Sequence, residues 1–241
     1  MSDSSSITAV ILAGGKGTRL RPYTIAMPKP LVAVGEYPIL EILIRQLEIH
    51  GVRDIILAVN HQAAIIQAYF GNGERWNVNI QYALETKPLG TMGPLYALKD
   101  SLPENFLVLN GDILTDLNFG AFYKRHCDDG ELFTICAHKR VEKIDYGILH
   151  VDADDRLTGF EEKPSLDYLV SMGIYAVNKR AVQWIPPDTY FGFDHLMLSL
   201  IEHNERVCVS THPGYWNDIG RPSDYEQAIL DIDSLKETYK K

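Results

Sequence analysis

The fold of this chain is decided by the stretch Val10-Ile11-Leu12-Ala13-Gly14-Gly15-Lys16-Gly17-Thr18-Arg19-Leu20-Arg21-Pro22. The apolar run from Ile7 to Ala13 predicts a buried strand, because it is short, continuous and bounded by glycines. The glycines that follow predict a turn whose backbone comes close to a ligand, since no Cβ stands in the way. Successive backbone amides in such a turn form an anion-binding concavity.

Basic side chains crowd the same turn. They are Lys16, Arg19, Arg21 and Lys29, and no Asp or Glu occurs from residue 4 to residue 35. The chain as a whole is acidic, with a formal net charge of −9. An anionic substrate therefore has to be attracted by a local basic pocket and not by the overall field. The strand, the glycine turn and the four cations together predict a polyphosphate site.

The glycine spacing excludes the two commonest phosphate-binding motifs. A P-loop requires G-x-x-x-x-G-K-[ST], whereas here Lys16 lies between glycines and Gly17-Thr18 follows it. The dinucleotide fingerprint G-x-G-x-x-G requires glycine or alanine where this chain has Leu20. A nicotinamide-dependent dehydrogenase is therefore disfavoured.

Strands and helices alternate through the first half of the chain. Hydrophobic spacing predicts strands at 7–13, 54–59, 78–84 and 106–109, and helices at 38–50, at 61–70 and from 94. This alternation is typical of a parallel sheet covered by helices on both faces. The expected fold class is α/β, a Rossmann-like three-layer αβα sandwich with a mostly parallel mixed sheet.

The ends of the four predicted strands are polar. Ligands of open α/β sheets bind beyond the carboxyl ends of the strands. We therefore expect one crevice to be shared by Ala13, Asn60, Glu85 and the stretch Asn110-Gly111-Asp112.

The second half of the chain is less regular. The elements predicted there are strands at 132–138, 147–151, 156–160, 170–177 and 207–211, and helices at 193–203 and 222–235. No internal repeat or linker separates the halves. We expect a single domain over residues 1–241, with a nucleotide-binding half at about 7–120 and an acceptor-binding half at about 121–235.

Composition excludes several classes of protein. The chain has 241 residues, of which 46% are hydrophobic, and this is enough for a full core. It has no apolar run of about 18 residues, and its first six residues lack the apolar core of a signal peptide. Cys127, Cys136 and Cys208 form no C-x-x-C pair, which favours reduced thiols in a cytoplasmic protein over a zinc site. The acidic charge disfavours nucleic acid as a partner.

Two motifs in the chain resemble the signature of the sugar-1-phosphate nucleotidylyltransferases, also called NDP-sugar pyrophosphorylases. They are GGKGTRLRPYT at residues 14–24 and PKPLV at residues 28–32. The resemblance, which runs from about residue 7 to residue 228, implies that the glycine loop wraps a nucleoside triphosphate. It also implies that Arg19 offsets charge on the phosphates during transfer and that Lys29 reaches toward them. The nucleotide-binding residues that it implies are Leu12, Ala13, Gly14, Gly15, Lys16, Gly17, Thr18, Glu85 and Gly90.

Two acidic residues in apolar surroundings are candidate metal ligands. Asp112 follows the strand predicted at 106–109, and Asp218 lies within Trp-Asn-Asp-Ile-Gly at 216–220. A carboxylate there is costly to bury unpaired, and Mg²⁺ is commonly held by one or two carboxylates together with substrate phosphates. Each Asp could instead cap a turn. The resemblance implies that Asp112 and Asp218 coordinate the metal, because they match the acids of the family's Gly-Asp and Trp-x-Asp-Ile-Gly motifs.

The resemblance also assigns the acceptor side. Glu162-Lys163-Pro164 matches the family's Glu-Lys-Pro motif, which implies that Glu162 binds sugar hydroxyls and that Lys163 binds the sugar phosphate. In the absence of this resemblance, the charged side chains would be interpreted as a solvent-exposed segment with no binding role. The other residues expected to line the sugar pocket are Asn110, Tyr146, Gly147, Gly173 and Tyr175.

The segment Glu-Thr-Lys-Pro-Leu-Gly-Thr at residues 85–91 resembles the family's base-recognition segment, which is Pro-Leu-Gly-Thr in many guanylyltransferases. Members that use thymidine or uridine triphosphate often have Gln near position 85. Guanine presents two neighbouring N–H donors, which a carboxylate accepts in pairs. Uracil and thymine present one N–H between two carbonyls, which an amide serves better. Glu85 therefore favours GTP, and UTP, CTP and dTTP are left open.

The expected activity is transfer of a nucleoside monophosphate from GTP to a mannose- or heptose-type sugar 1-phosphate, with Mg²⁺ as cofactor and pyrophosphate as the second product. No general base is needed, because a phosphate with a second pKa of about 6 is largely dianionic at neutral pH. His61 and His195 are accordingly expected to be structural.

The sequence leaves two alternative functions and the oligomeric state open. One alternative is a non-catalytic regulatory homologue that binds nucleotide-sugar. Another is a glycosyltransferase, which is disfavoured because Asp112 is followed by Ile113-Leu114 and not by the second acid of an Asp-x-Asp pair. The oligomeric state is open, with a homo-oligomer as one option.

Overall fold

The structure is a computed structural model that describes residues 6–60 and 62–240. Residues 1–5 of the predicted polar start and His61, the first residue of a predicted helix, lie outside the described residues. Its strands are β1 (Ile7–Leu12), β2 (Ala33–Val34), β3 (Tyr37–Pro38), β4 (Val52–Val59), β5 (Asn79–Leu84), β6 (Asn105–Asn110), β7 (Ile113–Thr115), β8 (Phe133–Lys143), β9 (Ile148–Val151), β10 (Leu157–Glu161), β11 (Ser165–Asn178), β12 (Val207–His212) and β13 (Trp216–Asp218). Its α-helices are α1 (Ile39–Ile49), α2 (Ala63–Phe70), α3 (Gly93–Leu98), α4 (Phe119–Asp129), α5 (Phe193–Glu202), α6 (Pro222–Asp231) and α7 (Lys236–Tyr239). In the described ranges, no helix has the length and apolar character needed to cross a membrane.

Seven strands form the central sheet, in the order β12-β8-β11-β6-β1-β4-β5. Within this sheet β11 runs antiparallel to its neighbours β6 and β8, and the other adjacent strands are parallel. The expected α/β class with a mostly parallel mixed sheet is confirmed. The chain places β4 and β5 on one side of β1 and then β6 on the other, so the strand order reverses at β1. Open α/β sheets bind their ligands at such a switch point.

Helices cover both faces of this sheet. On one face, α1, α2 and α4 share an apolar core with Ala9 and Ile11 of β1. On the other face, α3 and α5 share a second core with Val10. Because successive side chains of a strand point to opposite faces, β1 has to be apolar on both sides. This is why the run at its position is continuous and not alternating.

A third, smaller apolar cluster ties the glycine turn to the C-terminal elements. Leu20, which follows the turn, is fully buried with Ile219 and with Ala228 of α6. This packing fixes the turn, β13 and α6 relative to one another. The helix predicted at 222–235 is divided in the structure, because a 3-10 turn at Ile232–Leu235 follows α6.

The structure also contains elements that hydrophobic patterning did not indicate. Helix α4 buries Phe119, Phe122 and His126. The Asn118 side chain caps the start of this helix by accepting from the N–H of Ala121 at 2.9 Å. Strands β8 and β11 extend beyond their predicted bounds, because their outer ends pair with each other as far as residues 143 and 165. Those outer ends are exposed and therefore lack the apolar run of a buried strand.

Candidate active site

The carboxyl ends of four strands border one open crevice with a volume of about 610 Å³. Leu12 ends β1, Asn60 follows β4, Glu85 follows β5 and Asn110 ends β6. The four predicted strand ends share this crevice, although Leu12 and not the buried Ala13 lines it at the end of β1. The other residues that line it are Gly14, Gly15, Lys16, Thr86, Pro88, Leu89, Gly90, Thr91, Asp112 and Tyr190.

The glycine turn approaches its neighbours closely. A Cβ on Gly14 would stand 3.3 Å from the Asn60 Cβ and 3.3 Å from Oε1 of Glu85. Gly17 has a φ of +62°, in the left-handed region that favours glycine. Its carbonyl accepts a hydrogen bond from Thr24 Oγ1 at 2.7 Å. The turn is thus held between the ends of β4 and β5 and the segment that follows it.

The turn presents cations to solvent. The N–H of Ala13 donates to the carbonyl of Ala58 at 2.8 Å, which continues the strand pairing to the start of the turn. Thr18 then begins a single 3-10 turn that carries Arg19. Lys16 and Arg19 are accessible, and neither side chain forms a salt bridge or hydrogen bond with any described residue. Both remain available to an anion.

Lys29 is the cation that the structure buries. It is 8% exposed and forms a salt bridge with Asp112. It lies in a 3-10 turn at Lys29–Leu31, preceded by Pro28 and containing Pro30, so that proline restrains the backbone on both sides. A buried ammonium requires a partner, and Asp112 supplies it.

Asp112 and Asp218 are far apart in the chain and come together through a two-stranded ladder. Strands β7 and β13 pair antiparallel, and the N–H of Ile219 donates to the carbonyl of Asp112 at 3.0 Å. Burial raises the pKa of Asp218 and the neighbouring Asp112 carboxylate raises it further, while Lys29 and Arg19 oppose the shift. The two carboxylates therefore belong to one site.

This carboxylate pair suits a magnesium ion. Oδ1 of Asp112 is buried and accepts no hydrogen bond from the described residues, while the other oxygen is held by Lys29. A buried carboxylate oxygen without a partner is costly, and a cation would relieve that cost. Among the described residues no three His, Cys, Asp or Glu side chains form a metal-binding group. This is compatible with Mg²⁺, which takes one or two carboxylates and completes its shell with phosphate and water oxygens.

Glu85 follows β5, which is the third strand from β6 in the sheet, and Asp112 follows β6 in the chain. Oε2 of Glu85 accepts a hydrogen bond from the N–H of Leu89 at 3.3 Å, and this bond braces the loop after β5. Oε1 accepts none from the described residues and faces the glycine turn. Burial raises the pKa of Glu85. One carboxylate oxygen is thus free to accept from a ligand in the crevice.

A wall of the crevice comes from a segment that sequence analysis missed. The carbonyl of Phe191 accepts hydrogen bonds from the N–H groups of Met92 and Gly93, both at 3.0 Å. This pairing brings Tyr190 to the crevice. Gly90 has a φ of +76°, and a Cβ on it would stand 2.7 Å from the same carbonyl. No local signal marks Tyr190, because it follows a turn-like Pro-Pro-Asp-Thr and reaches the crevice only through this distant pairing.

Asn110 and Gly173 meet at an irregularity in β11. The register between β11 and β8 shifts between Ser171 and Tyr175, and Gly173 has a φ of +72° there. A Cβ on Gly173 would lie 2.4 Å from Nδ2 of Asn110. The Asn110 amide can therefore occupy its place only because residue 173 is glycine.

The predicted sugar-binding residues of the β9–β10 region lie outside this crevice. Glu162 and Lys163 are exposed in the turn after β10, and Lys163 has a φ of +44°. Oε2 of Glu162 is 3.3 Å from the place that a Cβ on Gly147 would take. Tyr146 is 78% exposed. The structure thus brings Gly147 and Glu162 together, and their role in sugar binding stays a prediction.

The side chains of Tyr175 and His195 make contacts that stabilise the fold. The Tyr175 ring is 4% exposed and stacks on Phe193 with centroids 4.7 Å apart. Its hydroxyl accepts a hydrogen bond from Ser171 Oγ at 3.2 Å, and burial raises its pKa to about 12. His195 Nδ1 accepts from the N–H of Gly192 at 3.0 Å and so caps the start of α5. A sugar contact by Tyr175 stays a prediction.

Known proteins share this sequence pattern. A family model described as nucleotidyl transferase matches residues 8–234. The mannose-1-phosphate guanyltransferase of Schizosaccharomyces pombe is 35% identical over 228 residues, which are 90% of this chain and 62% of that protein. The UTP–glucose-1-phosphate uridylyltransferase of Synechocystis sp. is 32% identical over 243 residues, covering 93% of this chain and 63% of that protein. This chain therefore spans a little under two thirds of the length of these curated relatives.

Solved structures share the fold. HddC from Yersinia pseudotuberculosis has a TM-score of 0.74 and 28% identity, with 94% of this chain and 99% of that chain covered. HddC has also been solved in complex with GMP-PN. Since the family model extends over nearly all of the chain, and the fold and the glycine turn agree with it, this chain belongs to the nucleotidyl transferase family, as its glycine-turn motifs indicated.

Proposed function

We propose that this protein transfers a nucleoside monophosphate from a nucleoside triphosphate to a sugar 1-phosphate and releases pyrophosphate. The preferred substrates in this proposal are GTP and a mannose- or heptose-type sugar 1-phosphate. The observation that carries it is the cluster of Lys29, Asp112 and Asp218 beside the crevice that Glu85 borders. A buried cation and two carboxylates next to a glycine turn suit a phosphate chain that is held together with a metal ion.

In the proposed reaction, a phosphate oxygen of the sugar 1-phosphate attacks the α-phosphorus of the triphosphate. A new P–O bond forms, the bond to the bridging oxygen breaks, and pyrophosphate leaves with the electron pair. The attacking phosphate needs no general base, because it is largely dianionic at neutral pH. Catalysis is then alignment and charge neutralisation. Lys29 and Arg19 would offset charge on the triphosphate, and Lys163 would hold the attacking phosphate.

Asp112 and Asp218 are the residues that would hold Mg²⁺. When bound, the ion supplies charge neutralisation at the phosphate oxygens. The unpartnered Oδ1 of Asp112 supports this assignment. Without a cation the two carboxylates repel an approaching phosphate, so we expect a chelator to abolish turnover.

Glu85 is the proposed base-recognition residue. Its unengaged Oε1 supports guanine, whose adjacent N–H donors a carboxylate accepts in pairs, whereas uracil offers one N–H. The name of the Schizosaccharomyces pombe relative and the complex of HddC with GMP-PN agree with a guanine nucleotide. The Synechocystis relative is named a uridylyltransferase at similar identity, which makes UTP the second candidate.

The test is pyrophosphate release over a grid of the common nucleoside triphosphates against several hexose and heptose 1-phosphates, with Mg²⁺ and with a chelator. Turnover confined to GTP and a manno-configured acceptor would support the whole proposal. Turnover with UTP, CTP or dTTP instead would keep the mechanism and remove the assignment of Glu85. If no substrate pair is turned over and a nucleotide-sugar binds tightly, the protein would be assigned a regulatory binding function and not an enzymatic one.

A further inference from the structure

A second cavity, of about 440 Å³, lies beside the carboxylate pair. Asp112 borders the nucleotide crevice, whereas Asp218 borders this second cavity. Because the two carboxylates are neighbours, the crevice and the second cavity meet at the proposed metal site. A phosphate chain that enters from the crevice and passes the carboxylates would continue into the second cavity.

Three arginines border this second cavity, which we call the arginine cleft. They are Arg19 of the glycine turn, Arg140 of β8 and Arg221 at the start of α6. The glycine turn and α6 are held together by the apolar cluster of Leu20, Ile219 and Ala228. As a result, Nη2 of Arg19 lies 3.7 Å from the place that a Cβ on Gly220 would take.

Two of the three guanidinium groups are not held by a protein side chain in the part of the chain that the structure describes. They are those of Arg19 and Arg221, since neither forms a salt bridge or side-chain hydrogen bond there. Arg140 is paired with Glu142. The Asp224 carboxylate also borders the cleft, but its Oδ2 accepts the backbone N–H of Arg221 at 2.8 Å. This bond caps the helix and leaves the Arg221 guanidinium unengaged.

Unpartnered guanidinium groups next to a metal-binding pair point to a phosphate ligand. The planar fork of Arg matches phosphate oxygens bidentately, and charge-assisted bonds of this kind are strong. The carboxylates of Glu142, Asp218 and Asp224 also line the cleft, so a phosphate would be held by the two guanidinium groups without a salt bridge and not by the net charge of the cleft. Since Arg19 belongs to the turn that holds the triphosphate in the proposed function, the phosphates nearest to the cleft would be those beyond the α-phosphate.

We propose that the arginine cleft binds the β- and γ-phosphates and then the pyrophosphate leaving group, with Arg221 as a ligand that joins Arg19. This inference rests on the proposed function. When the bond between the α-phosphorus and the bridging oxygen breaks, its electron pair stays on the pyrophosphate. Arg221 offsets the charge that develops there. It thereby acts on the leaving group and not on the attacking sugar phosphate.

The kinetic test compares Arg221→Ala and Arg221→Lys with the wild type in both directions of the reaction. We expect Arg221→Ala to raise the KM for pyrophosphate in the reverse reaction at least about tenfold, as loss of one charge-assisted phosphate contact implies. The KM for the sugar 1-phosphate in the forward reaction should stay within about twofold of the wild type. Arg221→Lys keeps the charge without the fork and should recover part of the loss. The matched control is Arg125→Ala, an exposed arginine on α4 paired with Asp129, which should leave all constants unchanged.

A binding measurement separates this inference from the proposed reaction. Titration calorimetry of pyrophosphate with Mg²⁺ into the wild type and Arg221→Ala needs no turnover, and an increase in Kd of about tenfold or more is expected. A weakened Kd would support the cleft even if no substrate pair reacts. Unchanged pyrophosphate binding overturns it, and so does a rise in the KM for the sugar 1-phosphate alone, which would assign the cleft to the acceptor phosphate. Circular dichroism and thermal melting of each variant confirm that it is folded.

Discussion

Lys16 lies within the glycine turn and Lys29 follows it in the chain, and the two lysines differ in their surroundings. Lys29 is 8% exposed and paired with Asp112. Lys16 is accessible and has no partner among the described residues. Because a buried ammonium and a buried carboxylate tolerate each other only as a pair, Lys29 supports the structure as well as the proposed phosphate contact.

The stability of two alanine variants distinguishes these roles. Lys29→Ala is expected to lower the free energy of unfolding by about 2 kcal/mol, because Asp112 and Asp218 then lack their compensating cation. Lys16→Ala, the matched control, should change it by less than about 0.5 kcal/mol. Urea denaturation at neutral pH without divalent metal measures both. Equal stabilities would contradict a buried ion pair at Lys29.

Glu85 should give nucleotide binding a pH dependence. Burial raises the pKa of Glu85, so its carboxyl takes up a proton at a higher pH than an exposed Glu does. The protonated form loses acceptor capacity for guanine. GTP affinity should therefore fall as the pH is lowered through this raised pKa. By linkage, the ionised carboxylate reduces stability above that pKa, and the reduction disappears as the pH falls through it.

Glu85→Gln tests this dependence, since the amide keeps the shape of the side chain but does not titrate. At neutral pH the variant should bind GTP about tenfold more weakly, as expected when a charged hydrogen-bond partner is lost. Its affinity should also be nearly independent of pH down to mildly acidic conditions. Calorimetric titrations of both proteins at a series of pH values provide the comparison. The same pH profile for both would remove Glu85 from base recognition.

Among the elements, β11 contains the irregularity that accommodates the Asn110 amide. The four-residue step from Ser171 to Tyr175 in β11 faces a two-residue step from Ala137 to Ile135 in β8. The extra length is taken up at Gly173, whose φ is +72°. Bulges of this kind are common next to active sites, where they redirect a side chain. Here the bulge makes room for Asn110 at the edge of the crevice.

Two glycines with left-handed backbone conformations allow the cost of backbone strain to be measured separately from the cost of a side-chain clash. Gly130, at the end of α4, has a φ of +64°, and no atom lies within 4 Å of the place that a Cβ on it would take. Gly130→Ala should therefore cost only about 1 kcal/mol of strain. Gly173→Ala adds a clash with Asn110 and should cost about 3 kcal/mol. Denaturant unfolding of the two variants gives the difference. Equal losses of stability in the two variants would show that the Asn110 side chain can move away from the new Cβ at no energetic cost.

At the scale of the whole molecule, the two expected halves share one sheet and one set of cores. β6 of the first half pairs with β11 of the second over positions 105–109. The apolar core that contains Ile11 also contains Ile174, and the core that contains Val10 also contains Tyr175. Neither half buries its apolar surface without the other.

We therefore expect the chain to unfold in a single transition. Trp76 is a reporter in the first half and Trp216 in the second, and each can be isolated by replacing the other tryptophans with Phe. Their fluorescence transitions in urea should coincide with each other and with the loss of circular dichroism. Separate midpoints for the two reporters would indicate two independently stable halves.

Much of the fold and part of the site could be predicted from the sequence. Buried parallel strands are continuous apolar runs, so β1, β4 and β6 could be located, and an alternating pattern located β5. The polar ends of these four strands border the crevice. The exposed outer parts of β8 and β11 could not, because their side chains face solvent and lack an apolar pattern. Helix α4 was missed because only Phe119, Phe122 and His126 of its 11 residues are buried, and one of these three is polar.

The sequence by itself determined the strand–glycine turn, the one-sided positive charge around it and the family to which the chain belongs, because these depend on residues adjacent in the chain. The tertiary structure decided which lysine is buried, that Asp112 and Asp218 form one site, that Tyr190 borders the crevice and that Arg221 stands near Arg19. These relations depend on the strand order, on the β7–β13 ladder and on apolar packing between distant segments. Local hydrophobic periodicity carries no information about such contacts. It indicates which face of a helix or strand is buried, but not which other element packs against that face.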